Sequence, residues 1–90
     1  MNNKIVSVVD LSEITKKNKS KGKKVVLCHG VFDLLHIGHI RHFQEAKSHG
    51  DVLVVTVTPD KHVNKGPNRP AFTSNLRLEA IASLEAVDFV

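Results

Sequence analysis

Tryptophan and tyrosine are absent from this 90-residue chain, and the four phenylalanines leave aromatic residues at only 4%. Proteins that hold nucleic acid by stacking its bases need such rings in number, so that class of partner has little to work with. A single cysteine, Cys28, excludes an internal disulfide and fits a reducing compartment. No apolar run is long enough to cross a bilayer. The N-terminal stretch MNNKIVSVVDLSE has a short apolar patch interrupted by Asp10 and no small-residue cleavage pattern, so no secretory signal is read and a cytoplasmic location is expected.

What is present is ordinary for a small globular domain: 41% hydrophobic and 24% charged residues. The length allows one modest core and no more. The net charge of +4 is local, because six of the 13 basic side chains are Lys16, Lys17, Lys19, Lys21, Lys23 and Lys24, and the remaining seven face nine acidic ones. A lysine run of this kind reads as a solvated helix end and loop rather than a phosphate-backbone patch. Neither a nucleic-acid nor a membrane partner is expected.

Periodicity orders the elements. Asp10 with Glu13 three residues later resembles a helix start, and Gly22 suits its end, giving a first helix near 11–20. KVVLCH, 24–29, is apolar without alternation, as in a strand covered on both faces. Ile40, Phe43, Ala46 and Lys47 fall at helical spacing in a helix starting near His39, which Gly50 is placed to end in a left-handed conformation. DVLVVTVT is a second strand, stopped by Pro59. Residues 60–72 read as a loop, and Thr73 or Ser74 can cap a third helix with Leu76, Ala80, Ile81 and Leu84 on one face. AVDFV is expected as a third strand. This alternation predicts an α/β, Rossmann-like doubly wound parallel sheet with right-handed crossovers, preceded by a helix and Lys-rich linker over 1–22, the domain proper occupying 23–90.

Ligands of such sheets bind at the carboxyl ends of the strands, and the stretch GVFDLLHIGH, 30–39, leaves the first strand there. Gly30 and Gly38 permit close backbone approach. Free N–H groups at the start of the following helix favour an anion, a phosphate chain being the natural guest. His36 and His39 can point into one pocket and donate to phosphoryl oxygens, most usefully where negative charge grows during reaction. His42 and His49 look unremarkable, and Lys47 is expected to snorkel beside its helix. A zinc site on His36, His39 and His42 is disfavoured, since a helical turn swings 36 and 42 apart and Cys28 lies on a buried strand.

The segments GVFDLLHIGHIRHFQEAKSHGD, VNKGPNRPAF and RLEAIASLEAVDFV together resemble the cytidylyltransferase-like branch of the nucleotidyltransferases, over roughly 23–90. The likeness is greatest to heptose 1-phosphate adenylyltransferases and related sugar-phosphate enzymes, with glycerol-3-phosphate cytidylyltransferase a more distant relative. The resemblance implies a reaction in which a phosphorylated sugar or alcohol attacks the α-phosphorus of a nucleoside triphosphate, ATP or CTP, releasing pyrophosphate with the help of Mg²⁺. It implies that His36 and His39 contact the triphosphate, that Gly30, Val31 and Phe32 line the nucleotide site, that Asp33 is the acidic residue near the phosphates or metal, and that Lys65 approaches the reacting phosphates. Arg69 on the same Gly/Pro loop could join Lys65 over a phosphate, although from composition alone Lys65 reads equally as a solvated loop charge. Arg77 either pairs with carboxylates on its own helix or faces the site.

The spelling HIGH also occurs in class I aminoacyl-tRNA synthetases, but their second, lysine motif follows the sheet, whereas KKNKSKGKK precedes the histidines here. The family's base-reading strands and late Ser/Thr-rich motif have no counterpart before AVDFV, so the chain is expected to be the N-terminal half of the domain. Either these residues are a fragment of a longer protein, the reading favoured because relatives occur fused to a sugar kinase, or they are a half-domain whose open sheet edge another chain covers, as in a homo-oligomer. The competing function is a non-catalytic nucleotide-binding module that keeps the turn and lacks the second half of the site.

Overall fold

The computed structural model describes residues 4–62 and 73–90; the expectations for Lys65 and Arg69 lie outside them. Helix α1 spans Val8–Ser20, strand β1 Val25–Gly30, helix α2 Ile37–Ser48, strand β2 Val52–Val57 and helix α3 Ser74–Ala82, with a short 3₁₀ turn at Asp60–His62. The strands pair in parallel, Val25 opposite Val52 through Gly30 opposite Val57, so α2 is the crossover that parallel pairing demands. This is the expected Rossmann-like α/β arrangement.

Ser7, not Asp10, starts α1: its hydroxyl accepts the Asp10 N–H at 3.1 Å, so Asp10 lies inside the first turn. Gly22 ends that helix at φ +78°, as its lack of a Cβ allows. Gly50 is a correction. It is not left-handed; His49 closes α2 in a right-handed conformation, and a Cβ on Gly50 would stand 2.7 Å from Val26 Cγ2 and 2.9 Å from the Lys24 carbonyl oxygen. The glycine is there because α2 turns back directly onto β1.

The core joins Cys28, Phe43, Leu53, Val55, Ile81, Ala82, Val87 and Val90. Strand β2 is covered on both faces, but β1 is not: Cys28 is buried while Leu27 is 64% exposed. β1 has β2 on one side only among the described residues, and its Val25 and Leu27 line an open groove against α1, so the expected double coverage is not met. AVDFV does not form a full strand. A single parallel bridge links Phe89 to Val54, where Val55 N donates to the Phe89 carbonyl at 2.9 Å. Its flank is taken by the N-terminal segment, with Val90 N donating to Lys4 O and Val6 N to Val90 O.

Lys47 does more than snorkel. Its ammonium pairs with Asp88 and donates to the Asp51 carbonyl at 2.8 Å, while Asp88 also accepts the Leu53 N–H at 2.7 Å. The face of α3 also differs from expectation: Leu76 and Ala80 are exposed, and Arg77, Ile81 and Ala82 are buried. Among the described residues, no helix is long and apolar enough to cross a membrane.

Candidate active site

The chain leaves β1 at Gly30 and passes through one conformation that L-residues rarely adopt. Phe32 has φ +49°, at a steric cost of about 1–2 kcal/mol. The bend is held because its side chain is well placed. The Phe32 ring meets Phe43 edge-on at 5.1 Å between centroids and His39 at 5.5 Å, and it fills the space where a Cβ on Gly30 would lie 2.7 Å from its nearest ring carbon. Gly30 therefore serves the turn first: its open side is occupied by Phe32's own ring. Asp33 follows, 7% exposed.

Helix α2 begins two residues earlier than expected, at Ile37, with His36 as its N-cap in an extended conformation. The two motif histidines cap the helix reciprocally. His36 Nδ1 accepts the Gly38 N–H at 2.9 Å, and His39 Nδ1 accepts the His36 N–H at 3.3 Å. Their rings lie 4.1 Å apart, inclined by 33°. A backbone N–H can only donate, so in each neutral ring Nδ1 is the acceptor and the proton sits on Nε2. The sequence expectation of open first-turn amides needs amending, because those of Gly38, His39 and Ile40 are used within the turn, the last two on the His36 carbonyl. What the turn presents to an anion is the positive end of the helix and a pair of oriented imidazole donors.

Gly38 is required by this arrangement. A Cβ there would stand 2.6 Å from Cε1 and 2.9 Å from Nδ1 of His36. Gly38→Ala is expected to drive the His36 ring off its cap, at the roughly 0.5–2 kcal/mol of stability that a lost N-cap costs. The check is a thermal melt beside a crystal structure of the variant.

Across the mouth stands a group that periodicity left undecided. Arg77 on α3 is fully buried, with its Nη1 donating to the Val31 carbonyl at 2.8 Å and Nη2 paired with Asp60 Oδ1 at 2.6 Å. Its Nε, also buried, has no hydrogen-bond partner among the described residues. Asp60 in turn accepts from the backbone and hydroxyl of Ser74. Thr73, the N-cap of α3, makes no side-chain cap bond, so Asp60 supplies that cap from the turn after β2. Hydrogen bonding from Arg77, then from Ser74, holds the Asp60 carboxyl below the usual carboxylate range. A lowered folded-state value means stability that is present above the unfolded value, near 4, and lost as pH falls through the folded one. Asp60→Asn is expected to flatten the dependence of melting temperature on pH below about 4, as thermal melts across that window would show.

His42 lies away from this pair, its Nε2 3.8 Å from Cys28 Sγ. Burial raises the Cys28 pKa, which keeps the thiol protonated. Among the described residues, no three His, Cys, Asp or Glu side chains gather as metal ligands.

Residues 27–90 match the model of the cytidylyltransferase-like family. The chain belongs to that family. Among the proteins it resembles are the bifunctional protein HldE of Sulfurimonas denitrificans, 48% identical over 90% of this chain and 17% of the relative, and that of Geobacter metallireducens, 42% identical over 97% and 18%. The chain thus spans less than a fifth of the length of these curated relatives. The crystal structure of a lipopolysaccharide core biosynthesis protein from Thermoplasma volcanium superposes with a TM-score of 0.69 at 43% identity, covering 76% of this chain and 56% of that one. These likenesses bear out both the family resemblance and the fold expected from the motifs.

Proposed function

We propose that this chain carries the triphosphate-binding half of a nucleotidyltransferase that moves a nucleotidyl group from ATP or CTP to a phosphorylated sugar or alcohol. A phosphate oxygen of the acceptor forms a bond to the α-phosphorus. The bond from that phosphorus to the bridging oxygen breaks, and pyrophosphate leaves with the electron pair. The observation that carries this reading is the reciprocal capping of His36 and His39, which fixes two neutral rings side by side, each with its proton on Nε2, at the start of α2.

Transfers of this kind need little covalent help and gain most from position and fixed positive charge. The Nε2–H groups of His36 and His39 donate to triphosphate oxygens and gain strength as charge accumulates in the transition state. Mg²⁺, arriving with the nucleotide, would neutralise phosphate charge, with Asp33 as its protein-side carboxylate. Gly30, Val31 and Phe32 shape the turn that receives the nucleotide, and Gly38 keeps room for the His36 ring. Lys65 and Arg69 supply further positive charge by their match to the family's loop. A sugar 1-phosphate such as heptose 1-phosphate is the acceptor that the family likeness favours. The word bifunctional in the relatives' names supports work beside a second activity, and a sugar kinase is the partner that the family resemblance implies. A cytoplasmic location, where triphosphates are kept, goes with this reading.

The test is pyrophosphate release with ATP or CTP, Mg²⁺ and heptose 1-phosphate, alongside nucleotide titration by calorimetry. Release that depends on the acceptor supports the transferase. Saturable nucleotide binding with no release, in the full gene product, would replace it with a binding module.

A further inference from the structure

An arginine is an expensive residue to bury, since its charge persists at every accessible pH. Arg77 is nevertheless 1% exposed and, among the described residues, pairs with one carboxylate and leaves its buried Nε without a hydrogen-bond partner. A group that filled space alone would be replaced at lower cost by an apolar side chain of similar volume. The two bonds that Arg77 does make go to the two mouth turns, one to the Val31 carbonyl after β1 and one to Asp60 after β2.

The Val31 bond acts where the backbone is least comfortable. The Val31 carbonyl and the Phe32 N–H share one rigid peptide plane, and φ of Phe32 is the rotation about the bond leaving that plane. Holding the carbonyl on a buried guanidinium therefore holds Phe32 at +49° against the relaxation that other residues would undergo. From Phe32 the contact runs on to the histidines: its ring lies edge-on to His39, whose Nδ1 accepts from the His36 backbone.

We propose that Arg77 is a positioning residue for the imidazole pair, anchoring the Val31–Phe32 peptide so that Phe32 keeps its left-handed turn and His39 its ring orientation. Its kinetic consequence rests on the nucleotidyltransferase reading; its structural consequence does not. The reason for an arginine rather than a lysine is the fork. Two nitrogens of one planar group reach Val31 and Asp60 at once, which a single ammonium on a flexible stem cannot match in geometry.

Three variants separate this role from mere packing: Arg77→Met, which keeps approximate volume, Arg77→Lys, which keeps charge, and Asp60→Asn, which loosens the ion pair but leaves the Val31 bond. Long-range ¹H–¹⁵N spectra of the histidine rings report the tautomer directly and need no substrate. In the wild-type chain His36 and His39 are expected as Nε2–H tautomers. In Arg77→Met and Arg77→Lys the His39 signal should move toward a mixture of tautomers, while Asp60→Asn should keep the wild-type pattern. Where turnover is measurable, kcat should fall about tenfold in both Arg77 variants with KM for the triphosphate changed less than about twofold, the split expected when a transition-state contact is misplaced. Wild-type ring spectra and wild-type kcat in a folded Arg77→Met would overturn the proposal. If circular dichroism shows that Arg77→Met does not fold, the same two readouts on Arg77→Lys decide it. A wild-type protein without turnover removes the proposed function, and the ring spectra then decide the positioning role alone.

Discussion

Replacing His36 or His39 by alanine is expected to lower turnover by about a hundredfold or more, the range seen when one preorganised donor to developing charge is removed, while nucleotide affinity falls less. The geometry complicates the alanine variants, because each ring also accepts a backbone hydrogen bond that starts α2. Loss of a cap costs about 0.5–2 kcal/mol of stability, and part of the kinetic loss would then come from a loosened turn. Asparagine separates the two roles at position 36. It is a favoured N-cap residue whose side-chain oxygen can accept the same kind of bond, yet it has no donor where Nε2 stands. His36→Asn should therefore melt close to the wild type and remain about as slow as His36→Ala. Pyrophosphate-release kinetics and thermal melts on the three proteins check this. Recovery of rate in the asparagine variant would mean that the ring's task is to cap, and that the chemistry lies elsewhere.

The largest effect on stability is expected at Phe43. Its side chain is fully buried, and it is the one buried side chain of α2. Phe→Ala changes in cores cost about 3–5 kcal/mol, against total stabilities of about 5–15 kcal/mol for whole proteins. For a chain of 90 residues, a loss of that size lowers the melting temperature by about 10 °C or more, as calorimetry would register. Phe43→Leu should be milder in stability but still felt at the site. The Phe43 ring meets the Phe32 ring 5.1 Å away, and a branched aliphatic chain gives Phe32 no comparable face to lean on. Reduced kcat in a leucine variant that melts near the wild type would show that the core reaches the turn through this pair.

The fold was legible wherever one physical signal dominated. The unbroken apolar run of 52–55 is a doubly covered strand because neighbours press on both its faces, and the spacing of Ile40, Phe43 and Ala46 marks the inner side of α2. The histidine turn was legible from residue types and their separation, and the structure does bring His36 and His39 together. What remained hidden depended on partners distant in sequence. Leu27 belongs to an apolar run, yet it is exposed because it lines an open groove between the sheet and α1. Gly50 follows a helix as a left-handed cap would, but the backbone approach to Lys24 decides its role. Arg77 was left between two readings, a pairing on its own helix or a place at the site. A charged residue in register with Ile81 contradicts a simple apolar face, and only its bond to Val31, 46 positions earlier, shows why it is buried there. That interruption was the one clue the sequence offered, together with an acidic residue at position 60 just after the strand.

The seam between the N-terminal segment and Val90 bears on how the molecule forms. Lys4 and Val6 are synthesised before their backbone partner, Val90, which lies more than eighty positions later in the chain. The entropic penalty of so long a closure grows only logarithmically, but such distant pairings are slow to find. The β1–α2–β2 unit, with its near neighbours, can condense while the nascent chain is still growing. Residues 4–6 must wait, and a translational pause before Val90 would lengthen the time for which their hydrogen-bonding groups stand open to a passing chaperone.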